Sequence, residues 1–278
     1  MMNLERLLPF LRCISCGGNL RHDDERLICP GCGQSFPLIN TIPVLLQTDN
    51  EEKVWEDYFR ELSKKRGDTA AANSYFSPKN FNFVRENLSR LIGEVKNLAI
   101  LDVGCGTGHF SQSLVKDNLV VGVDISLEML TWAQRKGLSA VQSSGKRLPF
   151  EKESFELVIA NNVIQSLKEG RLFIHELARV TKPGARIIVS STNGENFALG
   201  FFKIIEKRKY RHLRVYTAEE IRQFFLSAGC QVESFLFLHF PFGKVRRVRG
   251  EEILHFFNRH LATTFAIEAV KPQDYRDE

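Results

Sequence analysis

No stretch of this 278-residue chain approaches the ~18 consecutive apolar residues that a membrane span needs. The opening MMNLERLLPFLRC carries acidic and basic residues through its short apolar run, so neither a spanning helix nor a leader is expected and the chain is expected to be cytoplasmic. Low-complexity segments and internal repeats are absent, and 43% hydrophobic residues exclude the disordered and fibrous classes. No GxxxxGK occurs, which removes a Walker-type phosphate loop. A strong excess of either charge is lacking as well: 38 Lys+Arg stand against 33 Asp+Glu, and a net +5 permits an anionic partner without requiring one.

What is present begins with cysteine. There are six, and four of them (Cys13, Cys16, Cys29, Cys32) form two C-x2-C pairs in the first 32 residues, while Cys105 and Cys230 stand alone. In a chain that is not secreted, such pairs read as metal ligands before disulfides. Four thiolates close a tetrahedron around Zn2+ at about 2.3 Å and leave no position for water, which predicts a structural site. Residues 1–48 form a compositional unit of short strand-like runs, too small to bury a core unaided and dependent on such a staple.

From residue 49 onward a second unit runs to 278. Lead-in helices are predicted over 51–97 from EEKVWEDYFRELSKK and FNFVRENLSRLIGEV, with breaks near Gly67 and Pro78. Strand-like runs follow at LAILDVG (98–104), LVVGVDI (119–125), LSAVQS (138–143), FELVIANNV (155–163) and ARIIVSST (185–192), separated by the helical patterns SQSLVK, LEMLTWAQRK and RLFIHELARV. Near-continuous apolar strands between helices predict a parallel sheet covered on both faces. Two further strands, 231–240 and 263–270, flank a basic and helical stretch.

LDVGCGTGHF ends the first of these strands in a glycine-rich bend. Gly104, Gly106 and Gly108 let the backbone turn tightly and approach a ligand at the start of the next helix, and Asp124 ends the second strand where its carboxylate can accept from ribose hydroxyls. A dinucleotide fingerprint would have G-x-G-x-x-G, but His109 stands where its third glycine belongs.

LDVGCGTG, VVGVDIS, RLPFEKESFELVIANNVIQSL and ELARVTKPGARIIVS together resemble the class I S-adenosylmethionine-dependent methyltransferases over residues 98–192, and HLRVYTAEEIRQFFLSAGC with the two late strands extends the likeness. LRCISCGGNL and LICPGCGQSFPLINTIPVLL resemble the four-cysteine zinc ribbons fused to methyltransferases or activating them, with Asn40-Thr41 where those ribbons often end a turn in glycine. The resemblance implies an α/β fold: a doubly wound, mostly parallel, seven-stranded Rossmann-like sheet, its last strand antiparallel, with a small N-terminal ribbon holding Zn2+. It implies S-adenosylmethionine as methyl donor. Asp102, Gly104, Gly106 and Gly108 would shape the methionine and ribose site, Asp124 would hold the ribose, Ile125 and Met129 would pack on the adenine, and Asn161 would sit near the amino-acid tail. Two departures stand out: Ser144 replaces an acidic residue that recognises the adenine amino group, though its hydroxyl can still accept, and Gln165 replaces a frequent histidine.

No catalytic base is identified. His109, His175, His239 and His255 have no carboxylate paired with them by sequence, and methyl transfer from a sulfonium rests chiefly on positioning. The insert 193–214 sets Phe197, Phe201, Phe202, Ile204 and Ile205 beside six Lys/Arg, and GKVRRVRG adds four more. Such a pattern stacks bases, lies on an anionic membrane, or forms an amphipathic lid with a solvated face. Tyr58, Phe59 and Tyr75 line the same cleft or belong to the core. The fourth strand ends in Asn161-Asn162-Val163-Ile164 without the Pro-Pro-aromatic element of nucleobase amine methylation. A small or lipid-like organic acceptor is expected; the alternatives are RNA, or a partner or activator that binds S-adenosylmethionine without turnover.

Overall fold

A computed structural model describes residues 2–47, 49–69, 78–196, 214–239, 243–248 and 260–273. After a short helix α1 (Met2–Leu7), the ribbon contributes strands β1 (Arg21–Asp23), β2 (Arg26–Ile28), β3 (Ser35–Ile39) and β4 (Ile42–Leu45). Helices α2 (Asn50–Arg66) and α3 (Pro78–Ile92) lead into β5 (Ala99–Val103), β6 (Leu119–Asp124), α4 (Leu127–Arg135), β7 (Ser139–Ser143) and β8 (Phe155–Asn161). Then come α5 (Gly170–Val180), β9 (Thr181–Thr192), α6 (Ala218–Ser227), β10 (Gln231–His239), β11 (Lys244–Val248) and β12 (Thr264–Val270).

The hydrogen-bonded order is β1-β2-β3-β4-β7-β6-β5-β8-β9-β12-β10-β11. Seven of these strands are the expected methyltransferase-type sheet: β5 to β9 run parallel, and β12 inserts antiparallel between β9 and β10. The count differs from expectation because the ribbon is not a separate lobe. β4 pairs parallel with β7 (Val44 with Gln142, Leu45 with Ser143), covering what would be an open sheet edge, and the strands become twelve. β11 is the other addition. Of the basic run GKVRRVRG, expected as part of a helical stretch, Lys244–Val248 forms a strand antiparallel to β10, with Val248 buried against the sheet.

Apolar periodicity explains the layering. Val84, Leu88 and Ile92 of α3 pack with Ile100, Val120, Leu157 and Ile159 on one face. On the other, Phe173, Ile174 and Leu177 of α5 and Ile221 and Phe225 of α6 pack with Leu101, Val121 and Val158. Leu11, Leu20, Leu27 and Phe36 of the ribbon join this second core, and Phe10 stacks on Phe155 at 5.4 Å. Main-chain bonds from Arg12 N to Pro149 O (2.8 Å) and Glu151 N to Phe10 O (2.9 Å) fix the seam.

The turn at Asn40-Thr41 takes left-handed backbone angles at both residues (φ 51° and 64°) without glycine. For a β-branched threonine this is strained. Gln134 of α4 donates to Asn40 O at 3.2 Å and Thr41 Oγ1 at 2.9 Å, so the turn that enters β4 is held from the sheet side.

One expected helix is missing. SQSLVK forms only a 3-10 turn at Gln112–Leu114. Ser111, Ser113, Asp117 and Asn118 favour local side-chain bonds over helix interiors, and Asn118 accordingly donates to Leu114 O and Val95 O, both at 2.9 Å. The bend after β5 therefore does not present a helix N-terminus to a ligand. Among the described residues no helix is long and apolar enough to cross a membrane.

Candidate cofactor site and metal centre

The four ribbon cysteines converge. Their sulfur atoms all lie within 4.8 Å of one another, with Cys13–Cys32 at 3.7 Å and Cys16–Cys29 at 3.4 Å. The edge of a tetrahedron built on a 2.3 Å Zn–S bond is about 3.8 Å, so the donor set fits a closed Zn2+ site. Each C-x2-C pair sits on a tight turn closed by glycine, Gly17 N donating to Cys13 O and Gly33 N to Cys29 O, both at 2.8 Å. A Cβ on Gly18 would come within 3.3 Å of both the Cys16 and Cys29 sulfurs, so the knuckle has little room for a side chain there.

At the C-terminal ends of β5, β6 and β8 the sheet opens into a cleft of about 870 Å³ including its mouth. In open parallel sheets ligands bind outside the carboxyl ends of the strands, which is this position. The walls are mainly apolar: Val103, Val123, Ile125, Met129, Val163 and Leu167 from the sheet side, with Trp55 and Phe59 of α2 above. Asp124 and Glu52 are the charged residues that line it, and no Lys, Arg or His does so among the described residues. Asp124 anchors the bend by accepting from Gly106 N and Ser126 N, each at 2.9 Å. Burial holds its carboxyl above the usual carboxylate range, against those amide donors.

Of the residues expected to form the site, Gly104, Gly106, Asp124, Ile125, Met129 and Asn161 line this cleft together. Asp102, Gly108 and Ser144 are not among its lining residues. Asp102 lies directly beneath the bend, fully buried, and its Oδ2 has no hydrogen-bond partner among the described residues. Burial, with the nearby Asp124 charge adding, pushes its carboxyl up to about 7. The Ser111 hydroxyl works against that rise, and a buried acid with one oxygen left open below a cavity suits a cationic ligand group. Gly104 adopts φ 72°, and a Cβ there would collide with Val163, so the cleft floor depends on it. Gly108 serves packing instead: a Cβ would come within 3.1 Å of the Ala133 backbone in α4.

Asn161 accepts from Ser190 Oγ at 2.6 Å and from Asn162 Nδ2 at 3.1 Å. Gln165 is buried, accepts from Ser191 Oγ and Thr192 N at 3.2 Å, and so ties the cleft wall to β9. Sequence reasoning missed Glu52 and Trp55. Their only signal was a charged, amphipathic lead-in helix, which says nothing of where the helix docks.

No described histidine lines the cleft. His109, without a carboxylate by sequence, has Asp68 at 3.2 Å, and burial with the Lys136 charge draws its pKa down. His175 meets Ser227 Oγ at 3.0 Å, and burial also lowers His239. Phe59 lines the cleft, whereas Tyr58 is 40% exposed and packs edge-on against Trp55. His255, Tyr75, Arg249, Phe197, Phe201, Phe202, Ile204, Ile205 and most of the insert 193–214 lie outside the described residues.

Residues 101–189 match the family described as methyltransferase domain, and residues 5–40 match the family of Trm112p-like proteins. Curated relatives include an uncharacterized protein of Methanocaldococcus jannaschii (31% identical, 46% of this chain, 62% of that one). Another is the demethylmenaquinone methyltransferase of Lactococcus lactis (30%, 52% of this chain, 60% of that one). The chain thus spans about three fifths of the length of these relatives. Among solved structures, a chain from the complex between the Haloferax volcanii Trm112 methyltransferase activator and a methyltransferase superposes with TM-score 0.58 at 17% identity, covering 79% of this chain and all of that one. The magnesium protoporphyrin IX methyltransferase of Synechocystis gives 0.57 at 18%, covering 80% of this chain and 100% of that one. At these identities the likeness is one of fold.

Proposed function

From a chain that joins a Trm112p-like segment to a methyltransferase domain, we propose that it transfers a methyl group from S-adenosylmethionine to a small or lipid-like organic acceptor. The observation that carries the donor is the charge of the cleft: two carboxylates line it, a third is buried beneath it, and among the described residues no lining cation is present to neutralise a pyrophosphate. S-adenosylmethionine brings a cationic sulfonium and an α-amino group, and supplies an activated methyl group when bound. Asp124 would hold its ribose, Ile125 and Met129 would pack on its adenine, and Gly104, Asp102 and Asn161 would surround its methionine part.

The apolar lining supports the acceptor. Trp55, Phe59, Val163 and Leu167 form an apolar rim that excludes water from the transferring methyl and favours an apolar acceptor. Curated relatives named demethylmenaquinone methyltransferase and ubiquinone biosynthesis O-methyltransferase support an acceptor of this kind. The Trm112p-like segment supports a second reading, an RNA acceptor.

Incubation with methyl-labelled S-adenosylmethionine and cell extract, followed by separation into lipid, small-molecule and RNA fractions, tests this. Label in the lipid or small-molecule fraction is expected. Label in RNA would replace the first acceptor by the second, and cofactor binding with label in none would identify a non-catalytic binder. Asp124→Ala should weaken the donor by more than ~1.4 kcal/mol, or tenfold, by calorimetry; unchanged affinity would remove the ribose assignment.

A further inference from the structure

The position of Ser144 poses a question that the fold answers from another element. Ser144 Oγ donates to Glu52 Oε1 and accepts from Lys146 N at 3.0 Å, so its hydroxyl is spent inside the wall. Glu52 comes from α2, is 4% exposed, and lines the cleft beside Ser143, Gly145 and Ile125. An acidic group thus lies one hydrogen bond beyond the serine, on the side where the adenine would lie.

Helix capping accounts for part of this residue. Glu52 N donates to Asp49 Oδ1 at 2.8 Å and Glu52 Oε2 accepts from Asp49 N at 3.4 Å, a capping box that starts α2. Glutamine closes such a box equally well, and capping needs neither burial nor a cavity-facing group. Lys146 is no close partner either: its Nζ is 4.0 Å from Glu52 and serves Asp49 and Glu169 as well. Ser144 Oγ and Asp49 N each donate to one of the Glu52 oxygens, which uses only part of a carboxylate's acceptor capacity and leaves room for a donor from the cleft.

We propose that Glu52 accepts from the exocyclic amino group of the adenine, standing in for the acid absent at Ser144, and that adenine selectivity therefore rests on a helix delivered by the zinc ribbon. The delivery is short. Ser143 Oγ donates to Leu45 O at 2.9 Å where β4 pairs with β7, and four residues later Asp49 caps α2. The proposal rests on S-adenosylmethionine being the donor. A carboxylate only accepts, so a 6-amino purine suits it, whereas a 6-oxo purine would set acceptor against acceptor; an amide at the same place can donate to the 6-oxo group.

The test compares binding of S-adenosylhomocysteine with its hypoxanthine analogue by calorimetry, and reads the ratio of affinities within each variant, which is insensitive to a fraction of unfolded protein. Wild type should prefer the adenine form by roughly tenfold or more, and Glu52→Gln should bring the ratio below about threefold. Returning the acid to the neighbouring position, Glu52→Gln with Ser144→Asp, should restore the preference. A ratio unchanged in Glu52→Gln, or wild type binding both nucleosides alike, overturns the proposal and leaves the donor assignment intact. Wild type binding neither overturns the donor assignment itself.

Discussion

Residues 11–45 bury Leu11, Leu20, Leu27, Phe36, Ile42 and Leu45, and these form no core of their own but join the two cores of the sheet. Residues 99–270 bury whole faces of β5 to β10 and of β12 between α3 on one side and α5 and α6 on the other. The ribbon is therefore held from outside, by four sulfurs and by pairing with β7, whereas the sheet is held by its own apolar interior. The sheet's weak place is the cleft, where Asp102 is buried with one oxygen unpartnered among the described residues. Structure in the ribbon depends on a ligand; in the sheet, structure creates a place for one.

Replacing Cys13 and Cys16 by serine attacks this contrast where the effect is largest, since structural zinc supplies about 10 kcal/mol or more to small domains that fold around it. The variant should lose one equivalent of zinc and the hydrogen-exchange protection of β1 to β3, while β5, β6 and β8 keep theirs. Affinity for S-adenosylhomocysteine should fall with it if β4 positions α2. Zinc retained in full would overturn the ligand set, and a sheet that melts together with the ribbon would erase the difference between the two regions.

How far each region could be read from its residues follows the same division. Metal geometry is encoded locally: two C-x2-C pairs converge as their spacing implies, because the chemistry of four thiolates leaves little choice. The parallel strands were equally legible, since apolar runs such as LAILDVG have nowhere else to go. The contacts between regions were not. Nothing in IPVLL says that β4 will add to the edge of β7, and nothing in EEKVWEDYF says that Glu52 and Trp55 turn inward over the cleft, because both depend on a partner surface far away in sequence. The missing helix after the glycine bend is a third kind of case: the apolar spacing of SQSLVK suits a helix, but Asn118 bonds back to Leu114 O and ends it.

The next effect is smaller and sits in the cleft. Burial raises Asp102 to about 7 from 3.8, so the folded chain holds that proton more tightly than the unfolded chain does. The sign follows: the added stability is fully present below pH 4 and is lost as pH rises through 7. Asp102→Asn should therefore gain stability over wild type between pH 4 and 8, by up to about 4 kcal/mol, in urea unfolding of the ligand-free protein. The same variant should bind S-adenosylhomocysteine more weakly. A stability difference that stays flat with pH would remove the claim that the sheet stores an unsatisfied charge for its ligand.

The smallest effect lies at the edge farthest from the ribbon, and it separates two arginines that look alike in KVRRV. Arg247 reaches back over the sheet: it donates to Ser234 Oγ at 3.2 Å and pairs at 2.6 Å with Glu268, whose side chain is 8% exposed and also meets Arg186. Arg246 points outward on the exposed strand. Arg247→Ala should cost about 1 kcal/mol because it strips a donor from a buried acid, while Arg246→Ala should change stability by less than about 0.5 kcal/mol. If the basic edge serves only the fold, methyl transfer by Arg246→Ala equals wild type at every salt concentration. Turnover that falls, with a loss that deepens as salt is lowered, would show instead that this edge draws in an anionic acceptor, and the plain far side of the sheet would become a second working surface beside the cleft.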